Sequence, residues 1–330
     1  MTQIMALGEV LIDLTQTGTD ERGIPQFAAF PGGAPANVAV AASRLGARTA
    51  FLGVVGNDSY GRYLRQTLQN EGVDTASLFD TDESPTTLAI VSVDEAGERS
   101  FAFYRQPGAD TQLKTAEALQ ALDQAKPQIL HFGSLSLTTE PSRTAALEAV
   151  AHAKAGGVLV SYDPNYRPAL WSDEETAIQW MNTPLDMVDI LKVSDEEIVM
   201  MTGTDDLAAG TRKLADHGIR LVLVTLGDAG VYYRCGDCTG TVPGVRVTVS
   251  DTNGAGDTFL GAMLMQLTQR MGAASAEAGA DANASWIPQD ELEEFLRFAN
   301  FAAAKTCSRP GAIPAMPTRE EVEAELNSQK

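Results

Sequence analysis

Apolar positions run in short uninterrupted blocks separated by segments of helical period. The first block, residues 4–14 (IMALGEVLIDL), is broken at Glu9 and closed by Asp13, and reads as one buried strand ending at a functional edge. Residues 49–56 (TAFLGVVG) form a second strand, and the segment after it spaces Tyr60, Leu64 and Leu68 by four, as an amphipathic helix does. Downstream the rhythm repeats: QILHFGSLSL before a helix over 141–155, GVLVSYDPN before one near 173–181, DILKVSDEE running into another, then RLVLVTLGDAG and the hairpin GVYYRCGDCTGTVPG. A strand-like VRVTV then precedes an apolar helix from about Thr258. Apolar strands alternating with helices predict an α/β fold, a mostly parallel central sheet covered by helices on both faces. Ligands in such sheets bind beyond the carboxyl ends of the strands, where Asp13, Gly53, Gly56, Asp163, Ser194 and Gly227 fall.

The period changes to two over residues 86–104, where apolar and polar positions alternate on either side of a DEAGE turn. This predicts a β-hairpin outside the main body, paired with the polar segment near 15–30. The expected organisation is one α/β domain over 1–330 with a small β-sheet lid built from about 15–30 and 86–106. Residues 272–285 (GAASAEAGADANAS) are small, acidic and low in complexity, and read as a flexible surface insertion.

Composition narrows the partners. Among 330 residues, 24 Lys+Arg against 44 Asp+Glu give a net charge of −20, which argues against nucleic acid or an anionic membrane as the main partner. With 44% hydrophobic and 21% charged residues the chain can build a sizeable core. The N-terminus lacks the pattern of a secretory leader, no apolar stretch reaches membrane-spanning length, and 3 cysteines are too few for a disulfide framework, so a reducing cytoplasm is expected.

The strongest chemical motif is DTNGAGDTF, residues 251–259. Gly254 and Gly256 let the backbone approach an anion, the amides of a helix start point at it, and the helix dipole favours negative charge there. Asp257 on that helix start could be a simple cap if the motif stood alone. It is accompanied by PGGAPANVA, residues 31–39, a second glycine pair before a second helix, with Asn37 on the first turn. Asp13, Asn37 and glycine-exposed backbone are groups suited to sugar hydroxyls. Neither glycine pair has the GxGxxG spacing after an opening strand that a dinucleotide site requires, which removes a dehydrogenase.

With FPGGAPANVAVAASRLGA near one end and DTNGAGDTF near the other, the sequence resembles the ribokinase-type (PfkB) carbohydrate kinases, most closely their fructokinase branch. SYDPNYRPALW, KVSDEE, FYR followed by AD, and GAIPAMPT carry that closer likeness. The resemblance implies a ribokinase-like fold and transfer of the γ-phosphoryl group of ATP to a sugar's primary hydroxyl, fructose giving fructose 6-phosphate. It implies Asp257 as catalytic base and the amides of Gly254, Ala255 and Gly256 as anion hole. Asp13, Gly32, Gly33 and Asn37 match sugar-binding positions, and Arg105 and Asp110 resemble lid and hinge positions that contact or enclose the sugar. Arg167, with Asp163 and Asn165 in DPNYR, falls where the family groups polar side chains near phosphates and metal. Glu197 matches the Glu of an NxxE motif that organises Mg²⁺ and its waters, with Ser194 in place of the Asn. Thr225, Gly227, Gly230, Asn300 and Gly311 match the nucleotide pocket. A K⁺ site of backbone carbonyls is implied beside Asp251 and the 309–314 loop, and a homodimer through the lid, whose face carries Ile90 and Val91.

Other residues have blander readings. Cys235 and Cys238 make a lone CxxC at a hairpin tip, half of a zinc site at most, and Cys307 reads as a core residue of the last helix. His131, His152 and His217 show no metal spacing. Alternation places Phe101 and Phe103 on one lid face and Tyr104 on the other, and Trp171 and Trp180 read as core or interface residues. Kinases for 2-keto-3-deoxygluconate or another ketose or pentose remain alternatives, as does a non-catalytic sugar or nucleotide sensor, although a sensor should have lost the base or the anion hole.

Overall fold

The computed structural model describes residues 2–93, 99–276 and 286–328. In chain order the elements are β1 (Ile4–Leu7), β2 (Leu11–Thr19), β3 (Pro25–Gly32), α1 (Ala34–Arg44), β4 (Thr49–Gly56), α2 (Ser59–Asn70), β5 (Leu78–Thr81), β6 (Leu88–Val93) and β7 (Arg99–Tyr104). There follow α3 (Thr115–Ala125), β8 (Ile129–Gly133), α4 (Ser142–Ala155), β9 (Leu159–Asp163), α5 (Glu174–Asn182), β10 (Ile190–Ser194), α6 (Asp195–Thr202), α7 (Leu207–Ala215) and β11 (Leu221–Thr225). The chain ends with β12 (Val231–Cys235), β13 (Cys238–Val242), α8 (Ala255–Ala276), α9 (Gln289–Cys307) and α10 (Arg319–Ser328).

The body sheet runs β13-β12-β11-β10-β9-β8-β1-β4-β5, parallel from β11 to β5 with two antiparallel strands at one edge. Its strands lack hydrophobic alternation because both faces are buried. Ile4, Ile129, Ile190, Leu221 and Leu223 point into a core shared with α1, α8 and α9, while Met5, Leu130, Leu191, Val222 and Val224 point into one shared with α3, α4, α6 and α7. From β1 the chain builds outward to β4 and β5 on one side and to β8 and beyond on the other. Crevices form beyond the strand ends at such a reversal.

The lid is a four-stranded sheet, β3-β2-β6-β7, with β2 and β6 parallel and the other pairs antiparallel. This smaller sheet stands beside the body sheet and is built from two separate stretches of chain, β2–β3 and β6–β7. The hairpin turn at 94–98 lies outside the described residues.

Several expectations are corrected. The block 4–14 is two strands in two sheets: β1 stops at Leu7, the chain crosses out of the body at Gly8–Val10, and β2 opens the lid. Asp13 therefore lies on a lid strand, opposite Phe30 and Ala89, rather than at the end of a body strand. Residues 245–249 form no strand, since no neighbouring strand accepts their hydrogen bonds among the described residues. Gly53 sits inside β4. The helix expected from Thr258 already begins at Ala255, and residues 272–276, expected in the insertion, continue it; 277–285 lie outside the described residues. Val91 is buried and Ile90 half-buried, so they form no exposed lid face; among the described residues Ile24, Phe27 and Tyr104 are the large exposed apolar side chains there. Cys307 is half-buried at the end of α9, with α10 still to follow.

Candidate active site

The N-terminus of α8 organises the centre. Gly254 has φ +75°, and a Cβ there would stand 2.9 Å from the Ala312 Cβ, so the turn that opens the helix needs glycine both for its conformation and for room. Thr258 N–H donates to Gly254 O at 2.8 Å, which fixes that turn and sets Asp257 on the first helical turn. The Asp257 carboxylate is buried and takes hydrogen bonds from Asn37 Nδ2 at 2.8 Å and Asn165 Nδ2 at 3.4 Å. Its pKa is raised to about 6: burial disfavours the charge and Asp163 repels it, while the Asn37 hydrogen bond, Lys192 and Arg167 oppose the rise.

On one side of Asp257 lies a cleft between lid and body. Asp13, Asn37, Phe103, Asn165 and Arg167 line it together with Asp257, and Glu9, Gly33 and Ala34 form its floor at the lid–body crossing. Asp13 is also held at about 6, chiefly by burial, with Arg167 favouring its charge and Asp257 opposing it. Gly32 makes room for that carboxylate, since a Cβ there would stand 2.4 Å from Asp13 Oδ2. Phe103 faces the cleft and Tyr104 faces solvent, as the alternation predicts; the side chain of Phe101 lies outside what the structure describes.

On the other side lies a cleft of about 710 Å³ whose walls include Thr225, Gly227, Gly230, Asn300, Ala255 and Gly256. The Asn300 amide donates to Val242 O at 3.3 Å and Pro243 O at 3.0 Å, so it shapes one wall by holding the loop that follows β13. The two clefts meet at α8: Asp257 faces one, and Ala255 and Gly256 face the other.

Some predicted site residues stand elsewhere. Ser194 does not line the nucleotide-side cleft: its Oγ caps α6 by accepting from Glu197 N–H at 3.1 Å, and Glu197 Oε2 accepts from Ser194 N–H at 2.7 Å. This reciprocal pair is a capping box, legible as Ser-x-x-Glu in the sequence. Glu197 Oε1 accepts from Tyr166 N–H at 2.8 Å, anchoring the DPNYR loop. Gly311 also lies outside that cleft, with its N–H donating to Asp251 Oδ2 at 3.1 Å. The Ala255 N–H donates to Thr252 O at 3.3 Å, so in this structure that amide closes its own turn. Arg105 and Asp110 are a buried ion pair at 2.7 Å beneath the lid rather than part of the cleft wall. Arg105 also donates to Thr138 Oγ1 and Leu135 O, and Asp110 accepts from Thr87.

Two residues escaped the sequence reading. Lys192, buried on β10, bonds Asp163 Oδ2 at 3.0 Å, and a Cβ on Gly256 would stand 3.1 Å from its Nζ. Burial works against its charge, but Asp163, Glu197 and Asp257 together hold its pKa above the usual lysine value. A lone cation inside the apolar strand ILKVS was the available signal. Glu9, the break in the first apolar block, is the other.

Among the described residues no group of three or more His, Cys, Asp or Glu is arranged to hold a metal. Asp163 and Glu197 flank Lys192, and their oxygens already accept hydrogen bonds, Asp163 from Lys192 and Glu197 from Tyr166 and Ser194. Cys235 and Cys238 face each other across the tip of the β12–β13 hairpin as free thiols. His131 is buried against Ser161 Oγ, and His152 and His217 pair on the surface with Asp123 and Asp186. Trp180 stacks under Arg143 at the edge of the core that Trp171 also flanks.

A parallel α/β body, a β-sheet lid, and an acid on a glycine-led helix start between two clefts define a group-transfer enzyme that brings two small substrates together. Residues 1–319 match the pfkB family carbohydrate kinase model, and the chain belongs to that family with a ribokinase-like fold. It is 41% identical over 322 residues to fructokinase-1 of Oryza sativa subsp. japonica, covering 97% of this chain and 96% of that one. Among solved structures it is similar to the fructokinase of Xylella fastidiosa with bound ATP, at 34% identity and a TM-score of 0.89, covering 99% and 98% of the two chains. It is also similar to the Vibrio cholerae O395 fructokinase in its fructose, ADP and calcium-bound form, at 33% identity, TM-score 0.83 and 98% coverage of both.

Proposed function

We propose that the chain is an ATP-dependent fructokinase that phosphorylates the primary 6-hydroxyl of D-fructose. The observation that carries this reading is the meeting of the two clefts at the start of α8, with a buried carboxylate on the sugar side and glycine-exposed backbone on the phosphate side. The relatives named as fructokinases, one of them with fructose and ADP bound, point to the same sugar.

In this mechanism Asp13, Asn37 and Arg167 hold sugar hydroxyls and aim the primary hydroxyl at Asp257. Asp257 accepts its proton as the oxygen attacks the γ-phosphorus, and ADP leaves. The backbone of Gly254, Ala255 and Gly256, the helix dipole and the Lys192 ammonium meet the charge on the transferring group. That role requires the Ala255 amide to turn from Thr252 as phosphate arrives. Thr225, Gly227, Gly230 and Asn300 frame the nucleotide. Asp163 and Glu197 would hold Mg²⁺ through its waters, with Asn165 beside them, and the ion would neutralise phosphate charge. Asp251 and the 309–314 loop, joined through Gly311, would shape a K⁺ site. Lid closure keeps water from competing for the phosphoryl group.

We place the enzyme in the cytoplasm, where its three free cysteines would stay reduced. Among the described residues no helix is long and apolar enough to cross a membrane. Phe27 and Tyr104, exposed on the lid, suit a homodimer through that sheet. A coupled ADP-release assay over ketoses, aldoses and sugar acids with Mg²⁺, with and without K⁺, tests the substrate: fructose should give the highest kcat/KM. Preference for 2-keto-3-deoxygluconate or a pentose would replace the sugar, and no release with any sugar would refute the enzyme.

A further inference from the structure

The lid joins the body through four crossings: Gly8–Val10 before β2, Gly33 after β3, the segment leading into β6, and Arg105 after β7. Two of them are tied together by the buried Arg105–Asp110 pair, because Asp110 also holds Thr87 at the entry to β6. The other two are tied by Glu9. Its Oε1 accepts from Ala34 N–H at 3.0 Å, across 25 positions of sequence.

This contact supplies something α1 lacks. The cap of α1 is Gly33, which has no side chain to satisfy the first amides of the helix, so the acceptor comes from Glu9 instead. The two segments touch closely, since a Cβ on Gly33, whose φ is +108°, would stand 2.4 Å from Glu9 O. One turn further along α1, Asn37 N–H donates to Gly33 O at 2.9 Å and the Asn37 side chain holds Asp257. The Gly33–Ala34 turn therefore connects the base of the lid to the catalytic carboxylate, and Glu9 is what holds it from the other side.

The arrangement is unfavourable for Glu9 itself. The residue is 2% exposed, and Oε2 is buried without a hydrogen-bond partner among the described residues. Its pKa is raised to about 7, first by burial and further by Asp110, with Arg105 and its hydrogen bonds opposing. A buried acceptor left open typically destabilises a fold, so its retention points to a task at this position.

We propose that Glu9 is a positioning residue of the sugar site, which through Ala34 N–H keeps the Gly33–Asn37 turn in register with the lid and with Asp257. The proposal rests on reading the lid–body cleft as the sugar site. Four variants test it with fructose and ATP varied separately. Glu9→Leu removes the acceptor. Ala34→Pro removes the donor at a first-turn position that proline tolerates, and its Cδ also presses on Glu9 Oε1 where the amide hydrogen stood. The double variant closes the cycle, and Glu9→Gln restores an acceptor. Each single loss should raise the sugar KM about tenfold while kcat at saturating sugar stays within about threefold and the ATP KM is unchanged; the double variant should be no worse than either, as expected for residues acting through one contact. Glu9→Gln should return the sugar KM to within about twofold of the parent. Additive losses, a parental sugar KM in either single variant, a parallel rise in the ATP KM, or no rescue by Gln would each overturn the proposal. A parent chain inactive on every sugar would overturn the function instead.

Discussion

At the scale of single residues the account turns on Asp257. A carboxyl raised to about 6 must lose its proton before it can act as base, so kcat/KM should be flat above that pH and fall about tenfold per unit below it. The same shift has a stability consequence of fixed sign. The folded pKa lies above the ordinary 3.8, so folding is favoured while the group is protonated, and that contribution is lost as pH rises through about 6. Asp257→Asn should therefore abolish turnover yet raise Tm at pH 8, with the gain vanishing near pH 4; an equal shift at both would remove burial of the charge as its cause. Asp257, Asn37 and Asp13 were legible because two glycine motifs and an acid-closed apolar block announced them. Lys192 and Glu9 were not, because one charge in an apolar run looks like a strand edge until the fold shows what surrounds it.

At the scale of elements, the start of α8 does the organising. Gly254→Ala adds a Cβ at φ +75° and 2.9 Å from Ala312, so it should distort the turn proposed to bind the transferring phosphate. On the scale seen for loss of one oxyanion donor, kcat should fall by roughly 10²–10³-fold with the sugar KM little changed. A parental kcat would show that this turn does not carry the phosphoryl charge. Sequence periodicity found the βα rhythm and the lid hairpin, because continuous apolar runs and strict alternation are distinct patterns. It could not divide residues 4–14 into β1 and β2: both strands are apolar, and only the pairing partners, β4 and β8 for one and β3 and β6 for the other, separate them. Residues 245–249 show the converse, a β-like pattern that no neighbouring strand among the described residues completes into a sheet. Ser194 looked like a nucleotide contact by resemblance, whereas its Ser-x-x-Glu spacing already described the capping box that the structure contains.

At the scale of the whole molecule, a net charge of −20 and an anionic nucleotide are compatible because, in the proposed mechanism, the phosphates would be met locally by the start of α8 and by Lys192. If the lid pairs through Phe27 and Tyr104, sedimentation should show a dimer that Tyr104→Glu converts to monomer; a monomer at every concentration would remove that proposal. The central claim is that this chain moves a phosphoryl group to a sugar hydroxyl with Asp257 as base. The most direct measurement is ³¹P NMR of the product from fructose, ATP and Mg²⁺, run in parallel with the parent chain and with Asp257→Asn. The account predicts fructose 6-phosphate and ADP in equal amounts from the parent and no sugar phosphate from the variant, with ATP still bound by both. A phosphate on another hydroxyl, inorganic phosphate in its place, or an active Asp257→Asn chain would contradict it.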